Sequence, residues 1–222
     1  KDGKCAACGT QFTAIIGETY YTDVPSALNA ATDGQTVKLL ANHTTNWSDV
    51  EAGEYATLAV VKKTLTLDLN GMTVDYLTVG DVVPDEAGGI LESTDGNLTV
   101  ADNVQGGSYG KIKNLEFVKG SLAIQGGRIG DSLTCDGNSG TVTISGGTVC
   151  NATVGEGATV TVTGGTATVA AGTTITRAME GVEVTVTADA PETGKVFDKW
   201  VVKAGGVTLA NETSTTTTFT MP

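Results

Sequence analysis

The sequence predicts an all-β chain whose main body is a stacked solenoid, with a short helix near its start and a small β unit at its end. Three observations carry this. Among 222 residues there are 30 Gly and 38 Thr, a mixture that favours strands and tight turns over long helices. Short apolar runs alternate with period two: Leu65-x-Leu67-x-Leu69, Leu98-x-Val100, Leu122-x-Ile124, Val142-x-Ile144 and Val160-x-Val162, so each buries one face. The pairs Gly126-Gly127, Gly146-Gly147 and Gly164-Gly165 each follow such a run, 20 and 18 residues apart, with a weaker Gly106-Gly107 before them. A period of this size marks units that bury their apolar faces only by stacking on neighbours.

In chain order, the first element is Cys5-Ala-Ala-Cys8-Gly9. It has the spacing of half a zinc site, but the second half is missing, since Cys135 and Cys150 form no second CxxC and His43 is the only histidine. A local disulfide or free thiols are the other readings. Residues 21–40, YTDVPSALNAATDGQTVKLL, read as a short helix and then a strand. Pro25 and Ser26 suit the helix start, the run through Ala31 supplies a turn or two, Asp33-Gly34 ends it, and Val37, Leu39 and Leu40 begin the strand. From there the alternating runs and Gly-Gly corners follow, with Ile124, Ile144 and Val162 expected in one core column and Ile129, Val149 and Ala167 in a second. After Thr176 the pattern changes to two strand runs, a Gly194 turn, Phe197 near Trp200, and a terminal Phe219-Thr220-Met221-Pro222. In so small a unit Phe197 and Trp200 are expected to form the core.

The opening YTDVPSALNAATDGQTVKLL, the strand LTLDLNGMTV from Leu65 to Val74, and the repeated units with Gly-Gly corners resemble the right-handed parallel β-helix of the pectate-lyase-like superfamily, in particular its non-catalytic relatives in large bacterial surface proteins. The likeness spans residues 20–176 and implies a short helical N-terminal cap. Residues 177–222, with VTVTA, then Gly, Phe and Trp, then FTMP, resemble the divergent internalin-type B repeat, also known as the Listeria-Bacteroides repeat, which usually continues with one more strand. The segment KDGKCAACG, within residues 1–19, is similar to Cys-containing spacers between such modules. The chain opens and closes in mid-pattern and therefore reads as a piece of a longer protein.

Charge and chemistry narrow the function. Thirteen Lys and Arg against 25 Asp and Glu give a net charge of −12, which argues against nucleic acid, whose phosphates are held by clustered cations. No apolar run reaches the 18 residues that a transmembrane span needs. There is no Gly-x-Ser-x-Gly elbow and no Gly-Lys-Ser/Thr phosphate cradle, and His43 beside Trp47 reads as a surface loop pair. Asp85-Glu86, the one adjacent acidic pair, falls in an expected loop. No catalytic residue is assigned. Lys111, Lys113, Arg128 and Trp47 are the candidates for glycan or cleft contact. Asp131, Asp136 and Asn138 offer oxygens for a calcium ion, without EF-hand spacing; no other cofactor is expected. Cys135 and Cys150 lie 15 residues apart, a little less than one coil, and adjacent coils about 4.8 Å apart would admit a disulfide.

The expected function is that of a non-catalytic secreted or cell-surface module of a larger bacterial protein. It would act in adhesion, glycan contact or as a rigid spacer, with a host or cell-wall glycan or protein as partner. The alternative is a polysaccharide lyase or glycoside hydrolase of β-helix type, with Lys111 and Lys113 as its cations.

Overall fold

The computed structural model describes residues 3–5, 7–51, 58–84, 90–104, 108–135, 140–155, 159–169, 177–178, 183–188, 191, 193–203 and 206–221. A hairpin, β1 (Ala14–Ile16) and β2 (Thr19–Tyr21), leads into α1 (Val24–Ala30), β3 (Gln35–Leu39) and the short α2 (Trp47–Glu51). Then come β4 (Ala59–Val61), β5 (Thr64–Asp68), β6 (Thr73–Val79), a second hairpin of β7 (Asp81–Pro84) and β8 (Ile90–Thr94), and β9 (Gly96–Ala101). The regular part follows as β10 (Lys111–Phe117), β11 (Gly120–Ile124), β12 (Arg128–Cys135), β13 (Gly140–Ile144), β14 (Thr148–Val154), β15 (Thr159–Val162) and β16 (Thr166–Val169). The chain ends in β17 (Arg177–Ala178), β18 (Glu183–Thr187) and β19 (Thr216–Thr220).

From β3 to β18, leaving out the β7–β8 hairpin, successive strands alternate between two sheets. One sheet runs β17-β15-β13-β11-β9-β5-β3-β1-β2 and the other β19-β18-β16-β14-β12-β10-β6-β4. Neighbours are parallel throughout, except for antiparallel pairs at β1 and at β18–β19. The five period-two runs of the sequence are consecutive rungs of the first sheet, β5, β9, β11, β13 and β15, held in strict register. Leu122 therefore sits between Leu98 and Val142, and Ile124 between Val100 and Ile144. Val142, Ile144 and Val162 complete this column, each at most 1 % exposed.

The second sheet supplies the opposing wall of the core. Ile112, Leu115, Phe117, Ile129, Leu133 and Val149 are all buried in the same cluster. Ile129, Val149 and Ala167 stand in register, as the second column requires. This sheet is bulged in β12, where Gly130 and Asp131 stand against Lys113 of β10, and the same extra residue shifts β12 against β14 between Ile129 and Leu133. A bulge puts two residues of one strand against one of the next, so the buried residues Ile129 and Leu133 of β12 lie four apart where β10 has Ile112-x-x-Leu115.

Glycine does two jobs at the corners. Gly127, Gly147 and Gly165 turn the chain from the first sheet into the second with φ near +70°. A Cβ on Gly147 would lie 2.5 Å from the carbonyl oxygen of Gly127, so stacking requires a bare backbone there. A second column, Gly96, Gly120 and Gly140, opens the strands of the first sheet in register. Gly106-Gly107 lies outside the described residues.

Helix α1 starts one residue earlier than Pro25 and Ser26 implied. Asp23 is the N-cap, its Oδ1 accepting the Ser26 N–H at 2.7 Å, which satisfies one of the orphan amides of the first turn. Val24, Ala27 and Leu28 are buried, and the helix packs beside β4, the end strand of the second sheet.

At the other end, the sheet does not break at the expected boundary after residue 176. Strand β16 pairs with β18 through Ala167↔Val184 and Val169↔Val186, and β19 then covers β18 in antiparallel fashion. Phe197 and Trp200 lean on one another, 5.4 Å between ring centroids, with the Trp200 Nε1–H donating to the Ser214 carbonyl at 2.7 Å. Both are half-buried rather than central. Among the described residues of this region the buried positions are Val184 of β18 and Thr217 of β19.

Candidate functional site: the outer face of the second sheet

Outward-facing side chains of β6, β10 and β12 form a polar surface, in which two consecutive positions of β10, Lys113 and Asn114, stand away from the core. Lys113 Nζ meets Asp75 Oδ1 at 2.5 Å and Lys111 Nζ meets Asp131 Oδ1 at 3.1 Å. The Ser132 hydroxyl donates to Asn114 Oδ1 at 2.9 Å, and the Tyr76 hydroxyl to Glu116 Oε2 at 2.6 Å. Trp47, at the start of α2 and 47 % exposed, stands edge-on to Tyr76 with 5.1 Å between ring centroids. Gly130 makes room for the Lys111 side chain, whose Cε would lie 1.9 Å from a Cβ there.

All four contact candidates, Lys111, Lys113, Arg128 and Trp47, lie on this one face. Tyr76, Asn114 and Glu116 join them and were not legible beforehand, because their spacing of 38 and 40 residues crosses the β7–β8 hairpin and only the register aligns them. The Lys113 ammonium is held above its usual pKa by the hydrogen bond and charge of Asp75, with a further contribution from Asp131. A general base must shed its proton near the working pH. Lys113 is shifted the wrong way for that role.

Beside this face a groove of about 580 Å³ is lined by Leu58, Val60, Val82 and Val118 together with Glu116 and the Lys62–Asp81 ion pair. The β7–β8 hairpin flanks it and exposes Val83, Ile90 and Leu91. Asp85-Glu86, between those two strands, lies outside the described residues. A second groove, of about 510 Å³, sits at the Gly-Gly corner near Arg128 and Tyr109.

The remaining candidates separate. Asp131 is engaged with Lys111, whereas Asp136 and Asn138 lie outside the described residues. Among the described residues no three His, Cys, Asp or Glu side chains converge as metal ligands. Two other carboxylates serve the backbone: Asp68 Oδ1 accepts the N–H groups of Asn70 and Asn103, and Asp102 those of Gly71 and Gly110. His43, expected on a surface loop, is 7 % exposed and donates its backbone N–H to the Thr73 carbonyl at 2.8 Å.

All four cysteines are thiols. The expected Cys135–Cys150 bridge is out of phase, because Cys135 is paired with Val154, four residues further along β14 than Cys150. At about 3.3 Å per residue that offset far exceeds the Cα separation of about 7 Å beyond which a disulfide cannot close. Cys135 is buried in the core and Cys150 is half-buried. Cys5 and Cys8 sit on a small turn closed by hydrogen bonds between Cys5 and Thr10 and between Gly9 and Cys5. The Cys8 thiol is lowered to about 7 by its hydrogen bond with the Thr10 hydroxyl, 3.1 Å away, and then by that with the Cys5 thiol.

Residues 158–222 fit the family described as the divergent InlB B-repeat domain, starting well before the boundary at 177 and taking in β15 and β16. No curated protein and no solved structure matches the chain. No described helix is long and apolar enough to cross a membrane.

Proposed function

We propose that the chain is a non-catalytic module of a larger bacterial surface protein, a parallel β-helix of stacked coils with α1 as its N-terminal cap. It acts as a rigid spacer that presents the outer face of its second sheet to a glycan or protein. The observation that carries this reading is the parallel pairing of two sheets that continues into the segment matching the B-repeat family. Ladders of backbone hydrogen bonds sharing one core resist bending, which suits a stalk. The lysines of the outer face support the same reading, since each is neutralised by an aspartate.

A lyase or hydrolase of β-helix type would need two carboxylates and a free cation on one face. Arg128 is such a cation, but of the carboxylates on this face Asp75 and Asp131 are each engaged by a lysine and Glu116 accepts from the Tyr76 hydroxyl. The test incubates the purified protein with pectin, alginate and neutral polysaccharides, beside a glycan-binding screen. No product above background is expected. Turnover within the ordinary enzyme range of roughly 1–1,000 per second would overturn the proposal.

A further inference from the structure

In a protein of net charge −12, cations are expected to be neutralised by neighbouring carboxylates. In the described part of the two-sheet stack the lysines follow this rule. Lys38, Lys62, Lys111, Lys113 and Lys119 each meet an aspartate, and Lys63 donates to the carbonyls of Asn29 and Ala31. Among the cations whose side chains are described there, Arg128 is the exception. It opens β12 just after the Gly126-Gly127 corner, points outward, and has no carboxylate or carbonyl partner among the described residues.

Its surroundings are those of a binding site rather than of a bare strand end. Arg128 lines the groove of about 510 Å³ at the corner, a size within the range of roughly 300–1,000 Å³ typical of small-ligand sites. Tyr109, 78 % exposed, lines the same groove, and Thr148, the cross-strand neighbour of Arg128, adds a hydroxyl. The floor at Gly127 and Gly147 has no side chains, because coil stacking forbids them, so a ligand can approach the backbone there. Asp102 is the one carboxylate among the described lining residues, and its two oxygens already accept the N–H groups of Gly71 and Gly110 at 2.8 and 2.7 Å.

We infer that the corner groove holding Arg128 and Tyr109 binds a sugar acid, a pyranose ring carrying a single carboxylate. A guanidinium presents a planar pair of donors that fits a carboxylate bidentately, and an exposed aromatic ring offers the flat apolar surface that a sugar face covers. The charge of the whole protein sets the ligand's form. A polyanion would be repelled at long range, so the ligand carries isolated acidic sugars, at a chain end or spaced among neutral ones. This deepens the glycan-contact part of the reading above and rests on it, while the spacer role stands independently.

The experiment is calorimetric titration of the whole chain with sialyllactose and methyl glucuronide, each paired with its neutral counterpart, lactose and methyl glucoside. Acetyl-alanine serves as a carboxylate without a sugar. At least one sugar acid is expected to bind, with its neutral partner weaker by about 10- to 100-fold, the loss of a charged hydrogen-bonded contact. Arg128→Gln should abolish that preference, Arg128→Lys should restore part of it because charge returns without the fork, and Tyr109→Ala should weaken the sugar acid but leave the small acid unchanged. Arg128 and Tyr109 are exposed, so unchanged thermal melts are expected to confirm folding. Equal binding of acid and neutral sugar, full retention by Arg128→Gln, or acetyl-alanine binding as tightly as the sugar acids would overturn the assignment. Absence of binding by both sugar acids would do so too. None of these failures touches the spacer role, whose own test is the rigidity of the stack.

Discussion

A Cβ placed on Gly140 would lie 2.2 Å from the carbonyl oxygen of Gly120, at a backbone φ of +117° that side chains rarely adopt. Gly140→Ala is therefore expected to cost about 3 kcal/mol or more. Gly34→Ala is the control, since Gly34 also has a positive φ but nothing within 4 Å of its Cβ, and only the conformational cost of about 1–2 kcal/mol applies. Urea denaturation midpoints compare the two, and equal losses would contradict the stacking argument. The thiols give a second residue-scale prediction. With its pKa lowered to about 7, Cys8 should be alkylated at half its limiting rate near pH 7 and progressively more slowly below that, because the thiolate is the nucleophile. Thr10→Val should move that midpoint upward, as read by mass spectrometry after timed iodoacetamide treatment. At this scale the paired corner glycines were legible in their spacing. The column of Gly96, Gly120 and Gly140 was not, because those residues stand singly at strand starts and only the ladder aligns them.

Strands separate cleanly by how they alternate. Ile144 is fully buried between Ile124 and Val162 in the first sheet, while Thr143 faces outward on the same strand. Ile144→Ala should cost about 2–5 kcal/mol through lost burial and the cavity left behind. Thr143→Ala should change stability by less than about 1 kcal/mol, and reversed magnitudes would place the register one residue off. The first sheet was readable from period two alone, which is why its five runs correspond to its rungs. The second sheet was not, because its buried residues are spaced Ile112-x-x-Leu115 in β10 and Ile129-x-x-x-Leu133 in the bulged β12, which breaks alternation. Cys135 and Cys150 miss each other because Cys135 stands six residues after Ile129 whereas Cys150 stands one after its partner Val149, and Tyr76, Asn114 and Glu116 escaped notice because only the register aligns them. Of the candidate site, the isolated cations could be picked out from their scarcity. Their pairing with Asp75 and Asp131, which weakens a catalytic reading, needed the cross-strand geometry.

For the molecule as a whole, the decisive feature is that the B-repeat match begins at residue 158, inside the parallel stack, and that β16–β18 pairing carries the sheet past residue 176. Removing residues 177–222 would strip β18 and β19 from the end of the sheet and leave β16 as an uncovered edge. Such edges pair with other chains, so the truncated protein should melt at lower temperature and aggregate in a concentration-dependent way. Unchanged melting would mean that the last strands add nothing to the stack. The claim that the module works as one rigid unit is tested most directly by native-state hydrogen exchange under increasing denaturant. The amides of β9 to β16 and of β18 are expected to share one slow, cooperative exchange limit, with the β7–β8 hairpin, whose side chains are largely exposed, exchanging far sooner. Independent opening of β18 and β19, while β9 to β16 stay protected, would contradict it.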